Sequence, residues 1–519
     1  MIPSDALRWV LKIVFLSLIA GLAVFAAISL AGLGSPVLAV LPLVGAGGLI
    51  YLFLSPRAYP LRWLAPGVLF LVVMVIYPIG YTFMASTTNV GTGHMLSKTQ
   101  AVHQLLERTY SPPDAARYAF DAFEDPAGDL ALVLTGPSGR FLYAGGEASR
   151  MLDPDERAAD DDGDGRFDRV LATYRRLDFR EVVQRLAVLQ TLRIDLEGEP
   201  VGLRSLPDFT VLRPLYAYDG AAATMTDLEK GKVYADKEGI FTAEDGEEIF
   251  PGYRRSVGLG NYLRLFTSPA IVGPFFTVFG WTFVFAGLTV LLNFSLGLAL
   301  AMLLNDPFLR LRHVYRVLAV LPYAVPAFVT ILVWRGMLNL NFGVVNQILV
   351  ALFGAGARVA WLESAMGARA ALLLVNLWLG FPYMMIIALG ALQSIDVSLY
   401  EAARVDGARW GQQFRRITLP LLLMPLAPLL IGSFAFNFNN FTLVWLLTEG
   451  RPPIIGAQTP AGATDVLITY TYRLAFEGAR GNQLGLAASI SVLIFLIIAT
   501  ISAINFRLTG TLEELSKNV

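Results

Sequence analysis

The chain contains no cysteine, and its three histidines, at positions 94, 103 and 313, are far apart in the sequence. Disulfide bonds, thiol nucleophiles and thiolate metal sites are therefore excluded, and the scattered histidines do not indicate a metal centre. The phosphate-binding pattern G-x-x-x-x-G-K-[ST] is also missing from the 519 residues. A nucleotide site of the P-loop type is therefore excluded from this chain.

Charged residues are scarce as well, at 16% of the chain against 55% hydrophobic residues. This balance is too apolar for a soluble protein of this length and indicates a membrane protein. The charges are unevenly distributed, because the segment 87–262 contains 30 of the 41 acidic residues but only 20 of the 40 basic ones. An acidic, water-soluble domain therefore interrupts a basic and apolar framework.

Charge-free intervals locate the membrane spans, because a charge at the centre of the bilayer costs about 2.5–3.5 kcal/mol and a crossing helix needs about 20 apolar residues. The longest interval, Ile13–Pro56, has room for two helices with a turn near Gly34. Six further intervals bring the predicted number of spans to eight: Trp63–Ser86, Leu265–Asn305, Val317–Trp334, Ala370–Ile395, Ile417–Thr448 and Gly481–Phe506.

Basic residues follow every second predicted span, as at Arg57, Arg310, Arg404 and Arg507. Positively charged loops stay in the cytoplasm, so we expect a multi-pass protein of the bacterial inner membrane with both termini cytoplasmic. The predicted fold class is an all-α polytopic membrane protein with an inserted extracytoplasmic α/β domain. The predicted domains are two N-terminal spans (1–62), a third span (63–86), the outer domain (87–262), a five-span core (263–507) and a cytoplasmic tail (508–519).

The outer domain shows both strand and helix patterns, from which its topology does not follow. Residues Leu130–Tyr143 read as a β-hairpin around Gly136-Pro137-Ser138-Gly139. A helix is predicted over Phe179–Arg193, because Asp178 and Glu181 form a capping-box pattern before apolar residues at helical spacing.

An acidic run in the outer domain partly matches a calcium-binding loop. Positions 1, 3, 5 and 9 of that pattern are occupied, but position 12 is Leu171 rather than the bidentate glutamate. A solvated acidic turn is the alternative, and the missing glutamate favours it. The candidate calcium ligands are Asp160, Asp162, Asp164 and Asp168.

A polar, helix-capable segment lies between the sixth and seventh predicted spans. Ser398–Val405 is predicted to form a short helix with Ser398 as N-cap, and Ala408–Arg416 a second one after a turn at Gly407. The alternative is an amphipathic loop lying on the membrane. The segment 398–420 resembles the coupling loop of ABC importer permeases through Glu401, Ala402, Ala403, Asp406, Gly407 and Ala408, followed in register by Phe414, Ile417, Leu419, Pro420 and Pro425.

The coupling pattern, the span number and the position of the outer domain together resemble the maltose/maltodextrin permease family, whose fold is that of type I ABC importers. The resemblance implies that the chain has no cofactor of its own and forms half of a sugar path. Its expected partners are a second permease, two ATP-binding subunits, an extracytoplasmic sugar-binding protein and the lipid bilayer. No nucleic-acid partner is expected.

Uncharged polar residues in two spans are candidates for the solute path. Ser433, Asn437 and Asn440, spaced i, i+4 and i+7 in the seventh span, share one helix face. In the sixth span, Asn376 is followed by Gly380 and Pro382, which are expected to weaken the regular helix. Residue types alone leave open whether these amides bind a neutral sugar or join neighbouring helices. The resemblance to the permease family implies sugar contacts at Leu379, Gly380, Tyr383, Ser433, Phe436, Asn437 and Asn440.

Three other functions remain possible from the sequence. A permease for another oligosaccharide or a polyol would have the same architecture. A membrane receptor with an outer sensing domain would need a cytoplasmic output domain, whereas the longest predicted cytoplasmic stretch is short. A secondary transporter would use a carboxylate within the membrane, and the predicted spans contain no aspartate or glutamate.

Overall fold

A computed structural model describes residues 4–32, 36–146, 148–152, 167–171, 173–206, 208–478 and 481–517. The chain forms two compact units, Met1–Met84 and Ala85–Val519. The first unit is helical. It comprises α1 (Ser4–Gly32), α2 (Pro36–Leu54), a 3-10 turn (Pro56–Ala58), α3 (Tyr59–Leu71), a π turn (Val72–Ile76) and α4 (Tyr77–Ser86), whose last residues belong to the second unit.

The turn between α2 and α3 is held by a single arginine. Arg62 donates hydrogen bonds to the carbonyl oxygens of Leu52 (2.7 Å), Phe53 (3.1 Å) and Ser55 (3.2 Å). Its guanidinium also lies 5.3 Å from the centre of the Tyr59 ring. Arg62 thereby satisfies carbonyl groups that the end of α2 leaves without helical partners.

The described part of the outer domain is built mainly of strands, with three short helices. A nine-stranded sheet has the order β5-β4-β3-β2-β10-β9-β8, with β7 pairing β2 and β6 pairing β7; β1 pairs β11, and β12–β16 form an antiparallel meander. The elements are α5 (Lys98–Leu106), β1 (Thr109–Tyr110), β2 (Arg117–Glu124), β3 (Leu130–Gly136), β4 (Gly139–Ala144), β5 (Arg150–Met151), β6 (Arg169–Val170), β7 (Tyr174–Arg176), α6 (Phe179–Gln184), α7 (Leu186–Thr191), β8 (Ile194–Leu196), β9 (Glu199–Ser205), β10 (Asp208–Val211), β11 (Arg213–Pro214), β12 (Tyr216–Asp219), β13 (Thr224–Asp227), β14 (Val233–Lys237), β15 (Ile240–Thr242) and β16 (Glu248–Ile249).

The local patterns of the outer domain are largely confirmed. Strands β3 and β4 pair as the predicted hairpin, with Gly136 opposite Gly139. The capping box is present, since Asp178 accepts from the Glu181 N–H at 2.7 Å and Glu181 accepts from the Asp178 N–H at 2.9 Å. The predicted single helix is instead two, because the backbone leaves helical geometry at Arg185.

The two chain segments that connect the outer domain to the membrane helices lie next to each other. Asn261 is buried and donates to the carbonyl oxygens of Ser86 (2.9 Å) and Thr88 (2.8 Å). The Ser86 and Tyr262 hydroxyls lie 2.7 Å apart. The two connecting segments are therefore hydrogen-bonded to each other where the domain begins and ends.

The core of the second unit is a helical assembly centred on one long helix, α9, which packs against α13, α16 and α18. Gly297 allows α9 to approach α13 closely, because a Cβ there would lie 2.7 Å from the Met384 Cβ. The helices are α8 (Gly260–Thr267), α9 (Pro269–Asn305), α10 (Arg312–Ala324), α11 (Ala327–Met337), α12 (Val344–Phe353), α13 (Ala365–Gln393), α14 (Val397–Val405), α15 (Trp410–Gln413), α16 (Leu419–Phe438), α17 (Phe441–Thr448), α18 (Leu467–Phe476) and α19 (Leu484–Lys517).

The described residues contain six or seven candidate membrane spans, so the predicted number of eight is not confirmed. A seventh arises if α10 and α11, which meet at 90°, form one broken span, whereas the apolar segment Pro42–Leu54 of α2 falls short of the length of the others. The six helical segments among the described residues that are long and apolar enough are Trp9–Gly32, Pro56–Ser86, Pro269–Asn305, Ala365–Gln393, Trp410–Phe438 and Leu484–Asn505. The all-α description holds for this framework but not for the chain, because the outer domain is rich in strands.

Candidate functional site

A cavity of about 1060 Å³ lies among α9, α10, α11, α13, α16 and α17. Two helix breaks form part of its wall: the bend between α10 and α11 at Val325-Pro326, and the end of α16 before α17. None of the described residues that line it carries a charge. The lining combines amides, hydroxyl groups, aromatic rings and apolar side chains.

All seven residues predicted for the solute path line this cavity. Phe436 is 71% exposed and Tyr383 39% exposed, so their rings face open space, whereas Asn437 is only 3% exposed. The set brought together is Leu379, Gly380, Tyr383, Ser433, Phe436, Asn437 and Asn440.

A buried polar network joins three helices beside the cavity. Asn376 of α13 donates its side-chain N–H to Oδ1 of Asn437 on α16 at 2.7 Å, and lies 3.5 Å from the Thr289 hydroxyl on α9. Asn437 in turn donates to the Ser433 carbonyl oxygen at 2.8 Å. These amides therefore satisfy one another's hydrogen-bonding capacity inside the wall.

Two details of the predicted site are wrong. The helix α16 ends at Phe438, so Asn440 does not share its face; it is instead the N-cap of α17, accepting from the Leu443 N–H at 3.2 Å. The helix α13 runs unbroken through Gly380 and Pro382, so these residues do not interrupt it. Gly380 instead provides room, because a Cβ there would lie 2.2 Å from the Asn293 side-chain nitrogen.

The sequence analysis did not single out several cavity residues, among them Asn293 and Tyr323. Asn293 is a buried amide in the middle of α9, and Tyr323, 60% exposed, lies two residues before the bend at Val325. A polar side chain in a charge-free span was a usable signal for Asn293. No sequence signal indicates that Tyr323 faces the cavity, because that depends on the direction of the bend.

The predicted coupling element forms an exposed knob. Helix α14 contains Glu401, Ala402 and Ala403, and ends where the Asp406 N–H bonds the Ala402 carbonyl oxygen at 3.0 Å. Gly407 follows with φ of +75°, a left-handed conformation that glycine adopts without strain. The Ala408 N–H then bonds the Ala403 carbonyl oxygen at 2.8 Å, which closes the turn.

The ends of the two knob helices differ from the prediction. The N-cap of α14 is Asp396, not Ser398, because the Asp396 carboxylate accepts from the Ser398 N–H at 2.9 Å. This bond lowers the pKa of Asp396. The second helix is not separate, since α15 continues through the π turn Phe414–Thr418 into α16. The Tyr400 and Thr418 hydroxyls, 3.0 Å apart, join the two parts of the knob.

A charged cluster follows α17. Arg335 of α11 donates to the Glu449 carboxylate at 2.8 Å, and this bond lowers the pKa of Glu449. Asp465 is fully buried and accepts from the Gly462 N–H (2.7 Å) while lying 3.7 Å from Arg473. Burial raises the pKa of Asp465 to about 6, although the ion pair opposes the rise. The cluster connects α11 to the segment before α18.

The calcium hypothesis is not tested by the structure. Asp160, Asp162 and Asp164 lie outside the described residues, and the carbonyl oxygen of Asp168 accepts from the Arg176 N–H at 2.9 Å. Within the described part of the chain, no three His, Cys, Asp or Glu side chains are grouped to hold a metal ion. The calcium site therefore stays a prediction.

Known proteins match almost the whole chain. The maltose/maltodextrin transport system permease protein MalF of Shigella flexneri is 38% identical over 98% of this chain and 97% of its own length. The MalF proteins of Klebsiella aerogenes (39% over 92% of both chains) and Vibrio vulnificus strain YJ016 (35% over 95% of this chain and 93% of its own) are also similar.

The chain belongs to the maltose/maltodextrin permease family of ABC transporters. The family model for the inner membrane component of binding-protein-dependent transport systems matches residues 293–509, which include the cavity helices and the coupling element. The model for the N-terminal part of the membrane subunit in such transporters matches residues 69–148. In this permease, the cavity-lining residues and the knob therefore both lie within the part of the chain that this family model matches.

A solved structure is also similar over about half of this permease. It is described as a bacterial ABC transporter involved in the import of the acidic polysaccharide alginate, and its chain is 26% identical with a TM-score of 0.42. The match covers 49% of this chain and 84% of that one.

Proposed function

We propose that this chain is a permease subunit of an ATP-driven, binding-protein-dependent importer of maltose and maltodextrins. The observation that carries the proposal is the 38% identity to MalF over 98% of the chain. ATP hydrolysis belongs to a partner, consistent with the absence of a phosphate-binding loop from the sequence.

The chemistry of the cavity supports a neutral sugar as the solute. Its lining offers amides and hydroxyl groups but no charge, so it can exchange hydrogen bonds with hydroxyl groups without attracting ions. The exposed rings of Phe436 and Tyr383 can cover the apolar C–H faces of a sugar ring. The seven residues predicted for the path are therefore proposed as its solute contacts.

Coupling to the motor is proposed to run through the knob. Glu401 and its neighbours are exposed at the surface, and the direct continuation of α15 into α16 links the knob to a cavity helix. A push on the knob would therefore move the helix that carries Phe436. The proposed assembly contains a second permease, two ATP-binding subunits and an extracytoplasmic sugar-binding protein.

The proposed topology has eight spans with both termini in the cytoplasm. In support, α2 (Pro36–Leu54) contains 19 residues, close to the length needed for a crossing, and the bent pair α10–α11 connects α9 to α13. This arrangement puts the outer domain outside the cell and the knob inside. Cysteines introduced at surface positions of the cysteine-free chain would test it with an impermeant thiol reagent.

Reconstitution tests the function directly. The chain, co-expressed with its partners and placed in lipid nanodiscs with the sugar-binding protein, should hydrolyse ATP faster when maltose or maltotriose is added. If a polyol or an unrelated oligosaccharide stimulates ATP hydrolysis and maltodextrins do not, the transported solute is not the one proposed. If no sugar changes the rate of ATP hydrolysis of an intact assembly, the proposed function is wrong.

A further inference from the structure

Asn293 is a buried amide for which the described residues provide no hydrogen-bond partner at its carbonyl oxygen. It lies on α9, lines the cavity and is 3% exposed. Its Oδ1 is fully buried, yet no described donor reaches it. Burying an unpaired amide oxygen is costly, and an apolar side chain of similar size would avoid the cost. Packing alone therefore does not account for an asparagine here.

The position of this amide is set by α13. A Cβ at position 380 would lie 2.2 Å from Nδ2 and 2.8 Å from Cγ of Asn293, so glycine is required for the amide to lie against the α13 backbone. The amide is thus held at the edge of the cavity by shape, without a hydrogen bond from a described residue that fixes it. Its carbonyl oxygen therefore has unused hydrogen-bonding capacity at the cavity wall.

The surroundings indicate the kind of solute group. Thr289, one turn earlier on α9, lies 3.5 Å from Asn376, whose amide is already bonded to Asn437. The amides of α13 and α16 therefore bond each other, whereas that of Asn293 does not. An uncharged amide in an uncharged cavity matches an uncharged hydroxyl group.

We propose that Asn293 determines sugar specificity by exchanging a hydrogen bond with one hydroxyl group of the transported sugar at the α9–α13 wall. The inference rests on the proposed function, because it assigns a further contact for the same solute. It adds α9 to the elements that carry solute contacts, which the sequence analysis had confined to the sixth and seventh predicted spans.

The test uses the complete assembly in nanodiscs and measures the affinity of the trapped, sugar-bound state for maltotriose and for its single deoxy derivatives. In Asn293→Leu the affinity for maltotriose should fall about tenfold or more, the size of one lost hydrogen bond to a buried group. One deoxy sugar should bind the wild type equally weakly and lose nothing further in Asn293→Leu.

Ser295→Ala is the matched control, because Ser295 is exposed on another face of the same helix. If Asn293→Leu does not assemble, Asn293→Ala is measured in the same way. An equal loss for every deoxy sugar, an unchanged affinity, or failure of both variants to assemble would overturn the inference and leave a packing role. A wild type that binds no maltodextrin would instead overturn the proposed function.

Discussion

The side-chain amide of Asn376 donates a hydrogen bond to Oδ1 of Asn437 across 2.7 Å, joining α13 to α16 inside the cavity wall. Both side chains are buried, and Asn437 also bonds the Ser433 carbonyl oxygen on its own helix. The polar groups that suit a sugar are thus also the groups that connect the helices. The two roles can be separated by measuring stability and transport in the same variants.

A double-mutant cycle measures the connection. We expect Asn376→Ala and Asn437→Ala to be non-additive in the free energy of unfolding, with a coupling of about 0.6 and at most about 1.7 kcal/mol, as for other hydrogen bonds between membrane helices. Unfolding in mixed micelles supplies the energies. Agreement with additivity to within about 0.3 kcal/mol would mean that the pair does not stabilise the protein.

Asn440 combines a cap with a cavity position. Asn440→Ala removes the hydrogen bond from the Leu443 N–H to the Asn440 side chain. The variant should lose about 1 kcal/mol in the free energy of unfolding, and it should also lose maltose uptake. Asn440→Ser keeps an N-cap oxygen, so it should recover most of the stability but not the uptake. Thermal unfolding and uptake of labelled maltose give the two readouts. Full uptake by the serine variant would remove Asn440 from the solute path.

The close contact between α9 and α13 depends on glycine at position 297, which has no side chain. Gly297→Ala would place a Cβ 2.7 Å from the Met384 Cβ, and the resulting strain should cost about 1–3 kcal/mol. Gly287→Ala is the control on the same helix, because no atom lies within 4 Å of its added Cβ. That variant should be neutral or gain up to about 1 kcal/mol from helix propensity. Equal melting temperatures for both would contradict the close contact.

The knob is expected to bind the ATPase partner through a charged contact at Glu401. Glu401→Gln keeps the shape of the side chain but removes its charge, and a hydrogen bond to a charged group contributes about 1.5–3 kcal/mol. We therefore expect at least a tenfold loss in the apparent affinity for the ATPase (about 1.4 kcal/mol), measured by copurification against added ATPase. Glu363→Gln, an exposed acid on the opposite side in the proposed topology, should have no effect. Equal retention of the ATPase by both variants would contradict a charged contact at Glu401.

The Arg335–Glu449 pair should make stability depend on pH. The hydrogen bond from Arg335 lowers the pKa of Glu449, so its contribution is present above the usual pKa of glutamate and disappears as the pH falls through the lowered value. Glu449→Gln should therefore lose about 1 kcal/mol or less at neutral pH. The difference from the wild type should shrink in acid and in high salt. Melting curves of the purified assembly across this pH range check the sign.

The sequence predicted those parts of the fold that depend on local pattern. Charge-free intervals marked the long helices, and the capping box at Asp178 is present as expected. The breaks were less predictable. The end of α16 at Phe438 was not predicted, although Asn439 and Asn440 interrupt the apolar pattern there and Asn440 caps the next helix.

The candidate site was predicted by resemblance more than by residue type. Spacing on a continuous helix placed Ser433, Asn437 and Asn440 on one face. The helix α16 ends before Asn440, however, and Asn440 lines the cavity from the start of α17. Gly380 was expected to weaken its helix, whereas its role is to admit Asn293 from a neighbour. A local cap at Asn440 decides the first case, and a contact between helices distant in the sequence decides the second. Periodicity along one helix contains no information about either.

The 90° bend between α10 and α11 interrupts a helical pair that is a candidate membrane span. The last turn of α10 leaves carbonyl groups without helical partners, and hydrocarbon cannot solvate them. Ala324 and Val325 instead line the cavity, where water or solute can reach their backbone. The subunit is therefore built so that this bend is compatible with a position in the membrane only while the cavity admits water or solute.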